Sequence, residues 1–282
     1  MTGGHKAAQV APLPSRRLGR SRVFVTELAF GGAAIGGMYT EVSEDDARAA
    51  VDAAWHGGIR TFDTAPHYGL GLSERRLGAA LRDRPRAEYT VSTKVGRLLV
   101  PNPGATGPDD QGFAVPATHR RVWDFSADGV RRSLEQSLVR LGLDRVDTVL
   151  IHDPDDHAEQ ALDEAYPALE KLREEGILGA IGIGMNQSAV PTRFVTETDI
   201  DVVLLAGRYT LLDETAAADL LPAAEARGVT IVLGGVFNSG LLADPRAAAT
   251  YNYEPASAEL VRRALAIEEV RSEERRVGKE CW

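Results

Sequence analysis

Several short apolar runs in this chain are interrupted or followed by a polar residue. Asp63 closes TFD, with Tyr68 five residues later in APHYG, Lys94 closes VSTK, His152 closes VLIH, and Asn186 follows the glycine-rich GIGM. Each alone has a structural reading. An aspartate caps turns, a lysine reaches solvent along its apolar stem, and a lone histidine is more often a satisfied core residue than a catalyst. As a set they describe proton transfer beside a carbonyl. A carbonyl that accepts hydride needs a proton on its oxygen, and a phenol can supply it. An unperturbed tyrosine has a pKa near ~10. A cationic Lys94 beside Tyr68 would favour the phenolate and pull that value down. Asp63 would hold Lys94 charged and in place, and His152 would donate a hydrogen bond to the carbonyl oxygen. In reverse, with Tyr68 as base, the same set oxidises an alcohol.

That chemistry requires a fold that brings the four together. Strands are expected at 26–31 (TELAFG), 60–64 (RTFDT), 89–95 (YTVSTKV), 146–152 (VDTVLIH), 178–184 (LGAIGIG), 202–206 (VVLLA) and 230–235 (TIVLGG). They are nearly continuous in apolar residues, as parallel strands buried on both faces are. Amphipathic stretches lie between them. Ser43 opens SEDDARAAVDAAWHGG with Asp46 three residues on as a loose capping box, and Gly57 stops it. Ser73 opens SERRLGAALRD, Ser126 opens a helix ending at Gly142, and Pro167 sits in the first turn of one ending at Gly176. Further helices are expected over 214–227 and from about residue 256. Strands alternating with such helices imply a parallel α/β sheet. An open doubly wound sheet would want G-x-G-x-x-G after the first strand, where this chain has GGAAIGG. Strict alternation fits a (β/α)8 TIM barrel better. In a barrel the C-terminal strand ends share one rim, where chemistry sits, so Asp63, Tyr68, Lys94 and His152 should converge.

One connection is long. Residues 97–125 separate the third strand from its helix and hold Pro101, Pro103, Pro108, Pro116, Trp123 and Phe125. Connections of this length are commonly lids or binding loops, and this one leaves the active rim. By position, Trp123, Phe125 and His67 are expected to bind substrate.

The bulk numbers narrow the function classes. The 282 residues suit one barrel domain. A net charge of −9, with no basic patch among aromatics, disfavours nucleic acid as a partner. The single cysteine, Cys281, excludes an intrachain disulfide and a cysteine metal site. No apolar run is long enough to cross a membrane. Residues 1–14 are polar, lack the apolar core of a signal peptide and are expected to be a disordered tail. A cytoplasmic location is the default expectation, and oligomeric state is unreadable.

FDTAPHYGLGLSERRLGAAL, STKVG and VLIHDPD resemble the three segments that carry the catalytic Asp, Tyr, Lys and His of the aldo-keto reductase family. The similarity runs from Arg17 to about Val270, with the motifs in family order. VWDFSADGVRRSLEQSLVRLGLDRVDTVLIHDPDDH is similar to the branch acting on aldoses, described as D-threo-aldose or L-fucose dehydrogenases. The resemblance implies a TIM barrel, NAD or NADP, no metal, and hydride passed between nicotinamide and a sugar hemiacetal or a carbonyl. It implies that Asp63, Tyr68, Lys94 and His152 are catalytic, with Asp63 also at the cofactor. It implies that Asn186 hydrogen-bonds the nicotinamide amide. The loop Gly234, Gly235, Val236, Phe237, Asn238, Ser239, Gly240 and Leu241 would wrap the pyrophosphate, its glycines admitting backbone N–H groups.

The chain departs from the family in three places. Ala206 stands where many relatives have Gln, and Gly234 where many have a Tyr beneath the nicotinamide. After the helix through VRRALAIEEV the family continues to an eighth strand and a last helix, whereas this chain reads RSEERRVGKECW. The expectation is a barrel lacking its eighth strand, with exposed strand edges at the gap, and a foreign-looking tail over 271–282. Three other readings stand beside the oxidoreductase: a non-catalytic barrel subunit that binds nucleotide or a partner, a metal-dependent hydrolase using His152, Asp153 and His157, and an inactive truncated chain.

Overall fold

Side-chain alternation along the strands sets the frame of the protein. On VLIH, Val149 and Ile151 join the large apolar cluster under the helices, whereas Leu150 joins a smaller cluster inside the sheet. His152, two residues beyond Leu150, therefore falls on the inner side, as period-two geometry requires. On VSTK the same rule sends Val91 and Val95 to the helices and Lys94 inward, where its register partner is Leu150.

In the computed structural model, which describes residues 11–246, 250–252 and 254–277, seven parallel strands form one sheet. They are β1 (Phe30–Gly31), β2 (Thr61–Asp63), β3 (Thr90–Val95), β4 (Thr148–His152), β5 (Ala180–Met185), β6 (Val202–Ala206) and β7 (Thr230–Gly234). Each pairs with its sequence neighbours, so chain order and spatial order coincide. The helices between them are α1 (Glu44–His56), α2 (Leu72–Leu81), α3 (Ala127–Leu141), α4 (Tyr166–Glu174), α5 (Ala189–Glu197) and α6 (Leu220–Arg227), and α7 (Ala258–Val277) follows β7. This is the expected (β/α)8 barrel less one strand: β1 and β7 are not paired with each other among the described residues.

Ser43 and Ser126 cap α1 and α3 as expected, each accepting the amide three residues on. The α2 helix and α3 meet at Gly78, where a side chain would collide with the Leu141 carbonyl oxygen. That close approach seats Leu77, Leu81, Val130 and Leu134 in one core.

Three expectations need correction. The segment 26–31 is not one strand. Phe24–Thr26 pairs with Ser15–Arg17 in a hairpin, and only Phe30–Gly31 enters the barrel. The Thr26 amide donates to Thr61 Oγ1 at 2.8 Å and the Gly19 amide to Thr230 Oγ1 at 2.7 Å, so this hairpin closes the barrel floor. Residues 97–125 are not irregular. Arg97–Pro101 and His119–Trp123 form an antiparallel hairpin that stands on the active rim. The helix expected over 214–227 splits, because the Asp219 carboxylate caps Leu220 and only a 3-10 turn precedes it. Helix α7 runs through residue 277, so 271–277 of the foreign-looking tail continue a helix. Residues 278–282 of that tail, with Cys281, and residues 1–10 of the expected disordered one lie outside the described residues. At 13 the chain is already docked, its amide donating to the Gly58 carbonyl at 2.9 Å.

Candidate active site

Lys94 is the centre of the rim. Its side chain is 2% exposed, and a buried ammonium must be paired. Nζ donates to Asp63 Oδ2 at 2.6 Å, to the Thr64 carbonyl at 3.0 Å and to Tyr68 Oη at 3.1 Å. Asp63 is held from its other oxygen by Ser92 Oγ at 2.7 Å, across the β2–β3 register pair. The His152 ring stands edge-on to Tyr68, centroids 5.9 Å apart. Tyr68, Lys94 and His152 line one cavity of ≈ 270 Å³, together with His67 and Asn186. Three strand ends and the loop after β2 therefore bring together the four residues that the sequence singled out.

Burial governs the electrostatics. It pulls the Lys94 ammonium downward most strongly, yet the Asp63 carboxylate and the Tyr68 oxygen outweigh it and hold Lys94 above its ordinary value. For Tyr68 the outcome differs from the expected lowering. Burial raises the phenol above its ordinary value, and Lys94 offsets that rise only in part. Tyr68 is thus a protonated donor at neutral pH. His152 is held neutral, well below its usual range, by burial and then by the cations Arg97 and Lys94. His67 is lowered to about 2 for the same reasons.

The remaining expected residues separate. His67 lines the cavity with its Nδ1 buried and without a partner among the described residues. It is fixed by Arg121, which donates to the His67 carbonyl at 2.9 Å and forks onto Asp109 at 2.6 and 3.0 Å. Trp123 lines an adjoining cavity of ≈ 360 Å³. Phe125 does not reach either cavity. It is fully buried, stacked 5.8 Å behind Trp123, and its ring fills the space over Gly96, whose φ of +107° lets the chain turn out of β3. Asn186 lines both cavities.

The loop after β7 is a run of tight turns with positive φ at Gly235, Asn238, Ser239 and Gly240. Asn238 is buried and locks the loop to β6 through the Gly207 carbonyl at 3.2 Å and Thr210 Oγ1 at 2.8 Å. Leu241 packs against Leu212 and Ala264, whereas Val236 and Phe237 are exposed. Ala206 and Gly234 are register partners, so the two departures from the family pattern fall side by side and leave a floor of small residues. This fits a flat ring and a diphosphate. Small side chains and Asn186 lie at the cavity that holds Tyr68, and the glycine turns follow directly. Among the described residues no cluster of His, Cys, Asp or Glu could hold a metal ion, and no helix is long and apolar enough to cross a membrane.

Of the rim residues, Arg97 went unassigned in the sequence, and Asp153 was weighed there only in the metal-dependent hydrolase reading. Arg97 and Asp153 line both cavities, and Arg97 Nη2 donates to Asp153 Oδ2 at 2.6 Å. Burial raises the Asp153 carboxyl, and Arg97 counteracts it. The signal was proximity: Arg97 lies three residues after Lys94, and Asp153 follows His152.

Comparison with known proteins agrees with this geometry. The chain is 49% identical to the D-threo-aldose 1-dehydrogenase of Pseudomonas sp, over 86% of this chain and 76% of that protein. It is 39% identical to the pyridoxal 4-dehydrogenase of Microbacterium luteolum, over 90% of this chain and 80% of that protein. The holo form of aldo-keto reductase AKR11C1 from Bacillus halodurans superposes with a TM-score of 0.67 at 28% identity, covering 86% of this chain and 73% of that one. The model of the Aldo/keto reductase family matches residues 27–274. The chain therefore belongs to the aldo/keto reductase family, whose general activity is NAD(P)-dependent hydride transfer.

Proposed function

We propose that this protein interconverts an aldose hemiacetal, or a related alcohol, with its oxidised form at the Tyr68 rim. The observation that carries the proposal is the Lys94 ammonium bridging Asp63 at 2.6 Å and Tyr68 Oη at 3.1 Å in a buried cavity. NAD(P), when bound, supplies or accepts the hydride. Asn186 and the loop from Gly234 to Leu241 would hold it, and Asp63 would lie beside it. In the reductive direction Tyr68 donates its proton to the carbonyl oxygen. Lys94 stabilises the phenolate left behind, which a buried tyrosine could not sustain alone. Neutral His152 donates an N–H to the same oxygen and orients it. In the oxidative direction Tyr68 takes the hydroxyl proton back. His67 and Trp123 contact substrate, and Phe125 supports Trp123 from behind.

The similarity to an aldose dehydrogenase supports a sugar substrate. The acidic balance and the lack of a basic patch support a small-molecule partner over nucleic acid. A cytoplasmic location belongs to the same reading, and cell fractionation would test it. The deciding experiment is a nicotinamide absorbance assay with an aldose panel and simple aldehydes, on wild type and Tyr68→Phe. Tyr68→Phe should abolish turnover and leave cofactor affinity by fluorescence titration unchanged. A fully active variant would refute the mechanism.

A further inference from the structure

The two cavities of the rim share a wall, and Arg97, Asp153 and Asn186 form it. The inner cavity holds Tyr68 and His152, where the reacting carbon must sit. A longer substrate that extends past this wall meets Trp123, Asp155 and Gln187 in the outer cavity.

Asp153 stands there by an uncommon backbone conformation. Its φ is +42°, a left-handed value that costs a non-glycine residue energy and persists where the surroundings impose it. The Asp153 amide donates to the Gly184 carbonyl at 3.0 Å. In a regular strand the residue after His152 would point to the opposite face. Here the turn brings the Asp153 carboxylate back to within 3.4 Å of His152 Nε2. Oδ2 accepts from Arg97 at 2.6 Å. Arg97 is nine-tenths buried and lies 4.3 Å from the Trp123 ring centroid. Its Nε and Nη1 have no partner among the described residues, where its one side-chain hydrogen bond goes to Asp153. The Asp153 side chain is itself 27% exposed, and Oδ1 has no hydrogen bond among the described residues.

Building on the sugar reading above, we propose that Asp153 is the residue that selects polyhydroxylated substrates, its carboxylate accepting a hydrogen bond from the hydroxyl on the carbon next to the reacting one. The reasoning is geometric. His152 holds the reacting oxygen, and the Asp153 carboxylate, its Oδ2 3.4 Å from the His152 nitrogen, stands one substituent away from it. Arg97 acts as a positioning residue that keeps the carboxylate aimed. Trp123 offers an apolar wall to the C–H face of the sugar. A substrate without that hydroxyl leaves the carboxylate without its donor, and a site built for a hydroxyl discriminates strongly against the analogue that lacks it.

The test compares kcat/KM for an aldose with kcat/KM for its 2-deoxy analogue and for propanal. It uses wild type, Asp153→Asn and the double variant Arg97→Met/Asp153→Leu. The double variant removes both charges, so no unpaired one remains. Wild type should prefer the aldose over the deoxy sugar by roughly 10- to 100-fold. Arg97→Met/Asp153→Leu should bring that ratio close to one and Asp153→Asn should lower it, the readout being the ratio within each variant and not its absolute rate. A ratio unchanged in both variants overturns the proposal, as does a wild-type ratio of one. If wild type turns over neither propanal nor any aldose, the enzyme reading fails and takes the inference with it. If wild type turns over substrate and only the ratio fails to respond, the inference alone is refuted.

Discussion

Replacing Asp63 by Asn removes one charge and almost no volume, and its effect can be worked out from the rim. The Lys94 side chain is 2% exposed, and of its three acceptors only Asp63 carries a full charge. Removing one member of a buried ion pair costs about 3–5 kcal/mol, because the other is left uncompensated. Asp63 is 13% exposed, so the lower end applies, about 3 kcal/mol. The sign with pH is fixed. Lys94 is held above its ordinary pKa in the fold, so its contribution is fully present below the unfolded value near ~10.4 and is lost only as pH rises through the folded one. At pH 7 the whole loss should be seen, a fall in Tm of roughly 6–12 °C for a chain of this size. Urea melts followed by circular dichroism on Asp63→Asn, Lys94→Met and the double variant form a cycle. The double variant, with no unpaired charge, should be less destabilised than the sum of the singles by about 2 kcal/mol. Turnover should drop by ~10²-fold or more in all three, since Lys94→Met and the double variant take the cation from Tyr68 and Asp63→Asn removes the anion that keeps Lys94 charged and in place. Additivity within about 0.5 kcal/mol, or normal turnover in Asp63→Asn, would refute the coupling on which the rim depends.

His67, lowered to about 2, and His152, held well below its usual range, stay neutral in the fold, so acid favours the unfolded chain. Stability should fall below pH ~6.5 by roughly 1.4 kcal/mol per pH unit for each histidine, and His67→Gln should make the urea midpoint less steep with pH. A midpoint that stays flat from pH 7 to 5 would contradict their burial. Phe125→Ala should cost about 3–5 kcal/mol as a core cavity. Trp123→Ala, on a partly exposed ring, should change KM for an aldose far more than Tm. Equal effects on KM and Tm in both would undo the division between wall and support. Gly78→Ala forces α2 off the Leu141 carbonyl and should lower stability by about 1–3 kcal/mol, read as a shifted urea midpoint. An unchanged midpoint would mean that the helices separate freely.

The sequence by itself determined the order of strands and helices, because buried parallel strands and capped amphipathic helices write their periods locally. VSTK and VLIH also showed which residues end a strand, and alternation then dictates that Lys94 and His152 point inward. Only the tertiary structure decided what meets what. The sign of the Tyr68 shift depends on how deeply the phenol is buried, and no local pattern records that. Phe125 follows two residues after Trp123, the last residue of a hairpin arm, yet one is core and the other wall. The reason is that Gly96, 29 residues before Phe125, opens the space that its ring fills. Likewise Asp153 reads as a polar residue after a strand. Its left-handed turn, the Gly184 carbonyl and Arg97 from the neighbouring hairpin are what place its carboxylate beside His152. Contacts between residues distant in the chain form only when the barrel closes around them, and they are the part of the site that the sequence leaves open.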